Sequence, residues 1–335
     1  MIRVAVDAMG GDRGPEEIVA GAVDAASDTI EPVIVGPRGL ETQGLELIEA
    51  PDVIAMDEKP TEAVRAKPNS SLVVACRAVG EGKADAVVSA GNTGAVLAAC
   101  LLELRRIPGV RRPAIAVTIP ARRGPSVLLD SGANADARPE DLVQFAHMGA
   151  VFAEEILAVP NPEIRLLSIG EEPEKGNHLT LEAHRLLASS KDLNFAGNAE
   201  GRDLLNGAAD VVVTDGFTGN VALKVTEGTI LSLLEGLREE ITATAVGKLG
   251  GLLIRPAARR LRKRLDPDTY GGAYLLGLRG LAVIAHGNSS RRAITNAISL
   301  AGRGVEKDVV GRLTKNLGGS VLASRPSTTP TPNVR

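Results

Sequence analysis

Seven short segments of this 335-residue chain place glycine beside small polar residues, each following an apolar run. They are DAMGGD (Asp7–Asp12), SAGNTG (Ser89–Gly94), DSGAN (Asp130–Asn134), GEEPEKGN (Gly170–Asn177), GNAEG (Gly197–Gly201), TDGFTGN (Thr214–Asn220) and HGNSS (His286–Ser290). Glycine lets backbone N–H groups approach an anion closely, and a following helix N-terminus adds positive potential. The chemistry implied is the holding of a phosphate-sized anion. Its candidate residues are Asp7, Gly10, Gly11, Ser89, Gly91, Asn92, Thr93 and Gly94 in the first two loops. Asp130, Asn134, Asn177, Asn198, Asp215, Gly216, Thr218 and Gly219 supply the rest. In any one loop, turn formation and helix capping account for Asn92, Thr93, Thr218 and Asn220 equally well. Seven such loops at strand ends favour a shared site.

Three side chains are candidates for the chemistry itself. Lys175 sits between Gly170 and Gly176, amid Glu171, Glu172 and Glu174, as an anion-neutralising cation or a solvated charge. Asn220 closes the TDGFTGN loop and offers an amide donor. His286 ends an apolar run as either an acid/base group or a histidine held by hydrogen bonds. Lys224 lies near a helix start, where the dipole disfavours a cation unless an anion or solvent relieves it. Other chemistries find no support. GxGxxG is absent, and in Gly170–Asn177 five residues rather than four separate the glycines, with the lysine before the second one, so ATP binding is rejected. His178 and His184 stand six apart, off a shared helical face. With no HExxH and no Cys/His cluster, no metal site is expected, nor is there a GxSxG elbow.

Alternating elements must carry these loops. Strands are expected at Ile2–Val6, Val33–Val35, Val53–Ala55, Ala84–Ser89, Ala114–Ile119, Val127–Leu129, Ile164–Ile169, Asn194–Ala196, Asp210–Thr214 and Leu281–Ala285. Stretches of helical length, such as Pro139–Leu157 and Leu179–Ser189, lie between them. The pattern implies an α/β fold with a mostly parallel sheet in three layers, shorter strands forming an antiparallel edge or a second small sheet. Ligands of such sheets bind beyond the carboxyl ends of the strands. One internal echo stands out: Gly82–Val96 and Gly207–Val221 are identical at nine of fifteen positions. Either strand–turn–helix units converged, or two related loops face one cleft from two lobes.

Composition narrows the class. Aromatics are 2% of the chain, so the core must be aliphatic. A net charge of −3 and so few stacking rings exclude a general nucleic-acid binder. Cys76 and Cys100 lack a CxxC partner and read as reduced, buried thiols. No signal peptide and no spanning apolar run are seen, so the expected location is cytoplasmic. Residues 319–335, rich in Ser, Thr and Pro, are expected to be a disordered tail after a single catalytic domain at 1–318.

Within an amphipathic segment at 240–266, LGGLLIRPAARRLRKRL (Leu249–Leu265) carries six cations between Arg255 and Arg264. Pro256 suits a first helical turn. Leu252, Leu253 and Ile254 would form an exposed apolar tip, backed by Arg259 and Arg260, for an anionic membrane surface. A helix–helix contact in a dimer is the alternative.

Taken together, VDAMGGD, SAGNTGA, LLDSGAN, LLSIGEEPEKGN, NAEGRD, VVVTDGFTGN and YGGAYLLGLRG followed by HGNSS closely resemble the PlsX family of phosphate acyltransferases, over Met1 to about Gly318. The resemblance implies an isocitrate/isopropylmalate dehydrogenase-like fold, a homodimer and peripheral membrane association, with no cofactor. It implies transfer of a fatty acyl group from acyl carrier protein to inorganic phosphate, the product passing to a membrane glycerol-3-phosphate acyltransferase. On that reading phosphate is held by N–H groups around Gly91–Gly94 and Gly216–Asn220 with Lys175 neutralising charge, and attacks directly, since no nucleophile–base pair is evident. Lys175→Ala is then expected to cut turnover sharply. A nicotinamide-dependent oxidoreductase on the same fold, a phosphotransacetylase acting on short CoA esters and a non-catalytic membrane scaffold are the competing readings.

Overall fold

The computed structural model describes residues 1–266, 269 and 271–323. Eleven strands join in one sheet among them. They are β1 (Ile2–Asp7), β2 (Ile30–Gly36), β3 (Leu47–Glu49), β4 (Ala86–Ser89), β5 (Ala114–Ala121), β6 (Gly124–Leu129), β7 (Ile164–Leu167), β8 (Phe195–Ala199), β9 (Val211–Val213), β10 (Ala273–Leu276) and β11 (Leu281–Ile284). Their order is β3-β2-β1-β4-β11-β10-β5-β6-β9-β7-β8. All neighbours are parallel except β11–β10, β10–β5 and β5–β6. The antiparallel strands therefore sit mid-sheet, not at an edge or in a second sheet. They divide two parallel blocks that run in opposite directions.

Helices cover both faces: α1 (Pro15–Ala25), α2 (Pro60–Ala66), α3 (Ser71–Gly80), α4 (Thr93–Glu103), α5 (Pro139–Ile156), α6 (His178–Ser189), α7 (Gly216–Thr242), α8 (Ala245–Leu265), α9 (Arg291–Glu306) and α10 (Val309–Ala323). Strand alternation sorts the core. Val4, Val6 and Val88 pack on the face beneath α1, α5 and α9. Ala5, Val87 and Ile115 turn to the other face, beneath α3 and α4. Farther along that second face, Ile119, Leu128 and Val212 meet Leu223 of α7. A sheet buried on both sides needs near-continuous apolar runs, which explains VVIV-like strands without alternation.

Four local expectations are corrected, and one strand was not foreseen. Val53–Ala55 is not a strand; the edge strand is Leu47–Glu49, which pairs with Ile34–Gly36. Pro51 lacks the N–H that would continue the ladder, and Asp52 makes only an isolated bridge to Ser70. The four-residue β10, with glycines on both sides, was too short to read as a strand. Pro256 lies inside α8 rather than in its first turn, because Thr244 caps the helix twelve residues earlier, its hydroxyl accepting from the Gly247 N–H at 2.9 Å. Leu252, Leu253 and Ile254 are thus α8 residues, not a tip preceding a helix. The turn between α7 and α8 is Ala243–Thr244. At the C-terminus α10 continues to Ala323, past the expected start of the tail; residues 324–335 lie outside the described residues.

Candidate active site

Sheet register brings the two echoing segments to one level. A continuous row of partners runs Val88, Val283, Tyr274, Ala116, Leu129, Val213. Val88 is one residue from the end of β4, and Val213 ends β9. Because the two blocks run in opposite directions, their carboxyl ends meet over β5 and β10 from opposite sides. On the second face, α4 leaves one end and α7 leaves the other. Between them lies a cavity of about 350 Å³ floored by Ile115, Val117 and Ile119.

The loops after β1, β4 and β11 are knitted together. The Ser89 hydroxyl donates to Asp7 Oδ2 at 2.7 Å and accepts from the Gly91 N–H at 3.0 Å. Asp12 N–H donates to the Gly287 carbonyl at 2.7 Å. Gly10 lies so close that a Cβ there would come within 2.8 Å of the Gly91 nitrogen. Asp7 is 2% exposed; burial pushes its carboxyl above the usual aspartate value, against hydrogen bonds from Ser89 and the Met9 N–H. Asp7, Gly10, Asp12 and Ser89 shape the rim and do not line the cavity. Asn92 caps α4, its Oδ1 accepting from the Ala95 N–H at 3.1 Å, while Nδ2 donates to the Met56 carbonyl. Gly94 packs against Pro60 of α2. What this side presents to the cavity is Gly91, Thr93, His286 and Gly287.

On the opposite side, Asp130 organises its loop by accepting five hydrogen bonds. Oδ1 takes the N–H groups of Ile115, Gly132 and Ala133; Oδ2 takes the backbone and side-chain N–H of Asn134. Its carboxyl is also raised by burial, opposed by these donors. The start of α7 is pressed onto this loop. A Cβ on Gly216 would lie 2.6 Å from the Asn134 nitrogen, and one on Gly219 1.9 Å from the Asp130 carbonyl oxygen. Asp215 caps α7 by accepting from Thr218 N–H at 2.9 Å, and Gly216 N–H donates to the Asn134 carbonyl. The N–H groups of Gly216, Thr218 and Gly219 are therefore committed within the protein. Gly91 N–H is committed to Ser89 as well. Anion binding by those particular amides is corrected: the groups open to a ligand are the Thr93 and Gly94 N–H groups of α4, the Thr93 hydroxyl and side chains of α7.

That α7 face carries the charged groups. Asn220, Lys224 and Glu227 follow i, i+4, i+7 spacing and all line the cavity. Lys224 Nζ donates to Glu227 Oε2 at 3.1 Å. His286 Nε2 lies 3.5 Å from Glu227 Oε1. Among Lys224, Glu227 and His286, Glu227 is the least exposed, at 18% for its side chain, and it joins α7 to the loop after β11. Ser131 also lines the cavity, but its hydroxyl donates to the Ile115 carbonyl at 3.2 Å.

Of the residues singled out from sequence, the cavity gathers Gly91, Thr93, Asn220, Lys224 and His286. Lys175, Asn177 and Asn198 fall elsewhere, on the β7–β8 side of the sheet. Lys175 is exposed, in the loop between β7 and α6, and does not line the cavity. Asn177 caps α6 by accepting from Thr180 N–H at 2.9 Å. Asn198 bridges His184 Nδ1 and the Glu172 carbonyl. Glu227 escaped the sequence reading; its signal was the helical spacing from Asn220 through Lys224. No group of three or more His, Cys, Asp or Glu is placed to hold a metal among the described residues.

The α/β fold is shared with several solved phosphotransacylases. EutD phosphotransacetylase from Staphylococcus aureus superposes with a TM-score of 0.58 at 17% identity, covering 91% of this chain and 94% of that one. A branched-chain phosphotransacylase from Enterococcus faecalis gives 0.59 at 16%, covering 91% and 99%. At these identities the likeness concerns the fold. Sequence carries the relationship further. The profile described as "Fatty acid synthesis protein" matches residues 2–312. The phosphate acyltransferase of Heliobacterium modesticaldum is 46% identical over 332 residues, covering 96% of this chain and 99% of its own. That of Desulfitobacterium hafniense is 49% identical over 328 residues, covering 95% and 98%. The chain belongs to the phosphate acyltransferase family.

Proposed function

We propose that the cavity transfers a fatty acyl group from acyl carrier protein to inorganic phosphate, giving acyl phosphate and the free carrier. The observation carrying this reading is the convergence of the two echoing loops on a single cavity that holds Thr93, Asn220, Lys224, Glu227 and His286. Hydrogen phosphate sits at the N-terminus of α4, where the Thr93 and Gly94 N–H groups left by the Asn92 cap and the helix dipole favour an anion. Lys224 balances its charge. A phosphate oxygen attacks the thioester carbonyl, forming the C–O bond, and the Asn220 amide donates to the developing oxyanion, a type of contact worth about 3–4 kcal/mol elsewhere. The C–S bond breaks with its electron pair on sulfur. The phosphate proton passes through His286, oriented by Glu227, to the leaving thiolate. Ser131 is engaged with a backbone carbonyl, which disfavours it as a covalent nucleophile.

Incubation with long-chain acyl-carrier thioester and phosphate should give hydroxylamine-trappable acyl phosphate. An acylated protein mass, or an NAD(P)-dependent absorbance change in its place, would remove the direct-attack mechanism or the whole reading respectively.

The same reading includes peripheral attachment to the cytoplasmic face of an anionic membrane, a homodimer, and delivery of product to a membrane glycerol-3-phosphate acyltransferase. What supports attachment is α8, where Val246, Leu249 and Leu253 share a face and are 82%, 64% and 80% exposed, followed by the Arg255–Arg264 cations. No helix is long and apolar enough to cross a membrane among the described residues. What supports a dimer is the exposed i, i+4, i+8 stripe Phe217, Val221, Val225 on α7. Charge substitution of Leu249 and Leu253 to Asp should abolish co-flotation with anionic vesicles while leaving turnover on soluble substrates unchanged.

A further inference from the structure

Two stripes of α7 border the cavity side by side. Asn220, Lys224 and Glu227 form the polar one. Leu223 and Ile230, also i, i+7, form an apolar one with Thr226 between them. A separation of seven residues spans about 10 Å along the helix. Opposite the apolar stripe stand Val117 and Ile119, which alternation places on one face of β5, then Pro120. Ile119 and Leu223 belong to one apolar cluster, with Val117 packed against it. Leu265, at the end of α8, also lines the cavity. The cavity is thus divided: Thr93, His286 and the polar stripe of α7 line one part, and an aliphatic trough lies between β5 and the apolar stripe of α7.

We infer that this trough, walled by Val117, Ile119, Pro120, Leu223, Ile230 and Leu265, is the subsite for the linear alkyl chain of the acyl substrate, with Ile230 at its outer end limiting chain length. The inference rests on the acyl-transfer reading above and extends it to a particular surface. An alkyl chain offers no hydrogen bonds, so only shape and apolar area can select it. The placement is chemically consistent. A carbonyl beside Asn220 and Lys224 has its tail directed along Leu223 toward Ile230, while phosphate occupies the opposite, polar side.

The chain contains no tryptophan, so Ile230→Trp introduces a sole indole reporter while obstructing the trough. Hexadecylphosphonate should shift its emission to shorter wavelength, and methylphosphonate should leave it unmoved. Turnover of a sixteen-carbon acyl-carrier thioester should fall at least tenfold relative to wild type, with the four-carbon thioester changed less than twofold. Ile230→Asn, which replaces apolar surface by an amide, should raise KM for the long thioester at least fivefold without altering that for phosphate. Equal losses for both chain lengths, or no loss for either together with unmoved emission, overturn the assignment. If wild type makes no acyl phosphate from any thioester, the acyl-transfer reading fails. The emission response to the long phosphonate then reports separately on whether the trough binds alkyl chains.

Discussion

Gly219→Ala is the sharpest test of how the cavity is built. The added Cβ would stand 1.9 Å from the Asp130 carbonyl oxygen, where ordinary contacts begin at 3.4 Å. The difference, 3.4 − 1.9 = 1.5 Å, must be made up by moving α7 away from the Asp130–Asn134 loop, since the obstacle is backbone. Overpacking of this sort costs about 1–3 kcal/mol. Against it stands a gain of about 1 kcal/mol from replacing glycine by alanine in a helix. The net stability change is small, about 0–2 kcal/mol. Catalysis should suffer far more, because Asn220, Lys224 and Glu227 travel with the helix, and a misplacement of about 1 Å can cost about 100-fold. Gly228→Ala is the matched control. It lies on the same helix with nothing within 4 Å of its Cβ position, so it should stabilise by up to about 1 kcal/mol and leave kcat/KM within twofold. Acyl phosphate formation and thermal melting of both variants supply the comparison. A folded Gly219→Ala protein with wild-type kcat/KM would refute the view that the seat of α7 on this loop sets the catalytic geometry.

Three further outcomes are expected. Lys224→Ala should raise KM for phosphate more than tenfold, whereas Lys175→Ala should change it less than threefold in the same steady-state assay; a larger effect at Lys175 would move the anion seat to the β7–α6 loop. Ser89→Ala removes one donor from the buried Asp7 carboxylate and the acceptor for Gly91 N–H, and should destabilise by about 1–3 kcal/mol in urea titration, a loss below half a kilocalorie per mole arguing that water replaces it. Burial holds the His147 imidazole below its usual value, with Asp192 partly opposing this at 3.8 Å. For a base lowered on folding, the unfolded chain binds more protons, so the stabilising contribution is complete above about pH 6.5 and is lost as pH falls through the folded value. His147→Gln should therefore flatten the decline of stability between pH 7 and 5; an unchanged slope would assign that decline to other groups.

The loops were legible because glycine, asparagine and aspartate at strand ends leave a composition signal that survives without structure. So did most strands: Ile2–Asp7, Ala114–Ala121 and Leu281–Ile284 are buried on both faces and read as unbroken apolar runs. The caps Asn92, Asn177 and Asp215 were visible as residue types, but their roles were not. The same side chain satisfies a helix N-terminus or a ligand, and only its partner decides which. Lys175 shows the cost of local context: its flanking glycines suggested a functional loop, yet the strand it follows lies on the β7–β8 side of the sheet. Glu227 shows the converse, an ordinary surface-helix residue until α7 is laid against His286.

Sequence by itself determined the α/β class, the family, the aliphatic core and the set of glycine loops, because those depend on residue type and short-range spacing. Tertiary structure decided which loops share a cavity. That depends on strand order and direction, on the mid-sheet reversal through β10, β5 and β6, and on backbone contacts such as Gly219 against Asp130. These are long-range pairings that no local pattern encodes. The same contacts commit the Gly91, Gly216, Thr218 and Gly219 amides internally, which is why the proposed phosphate seat is the start of α4 and Lys224.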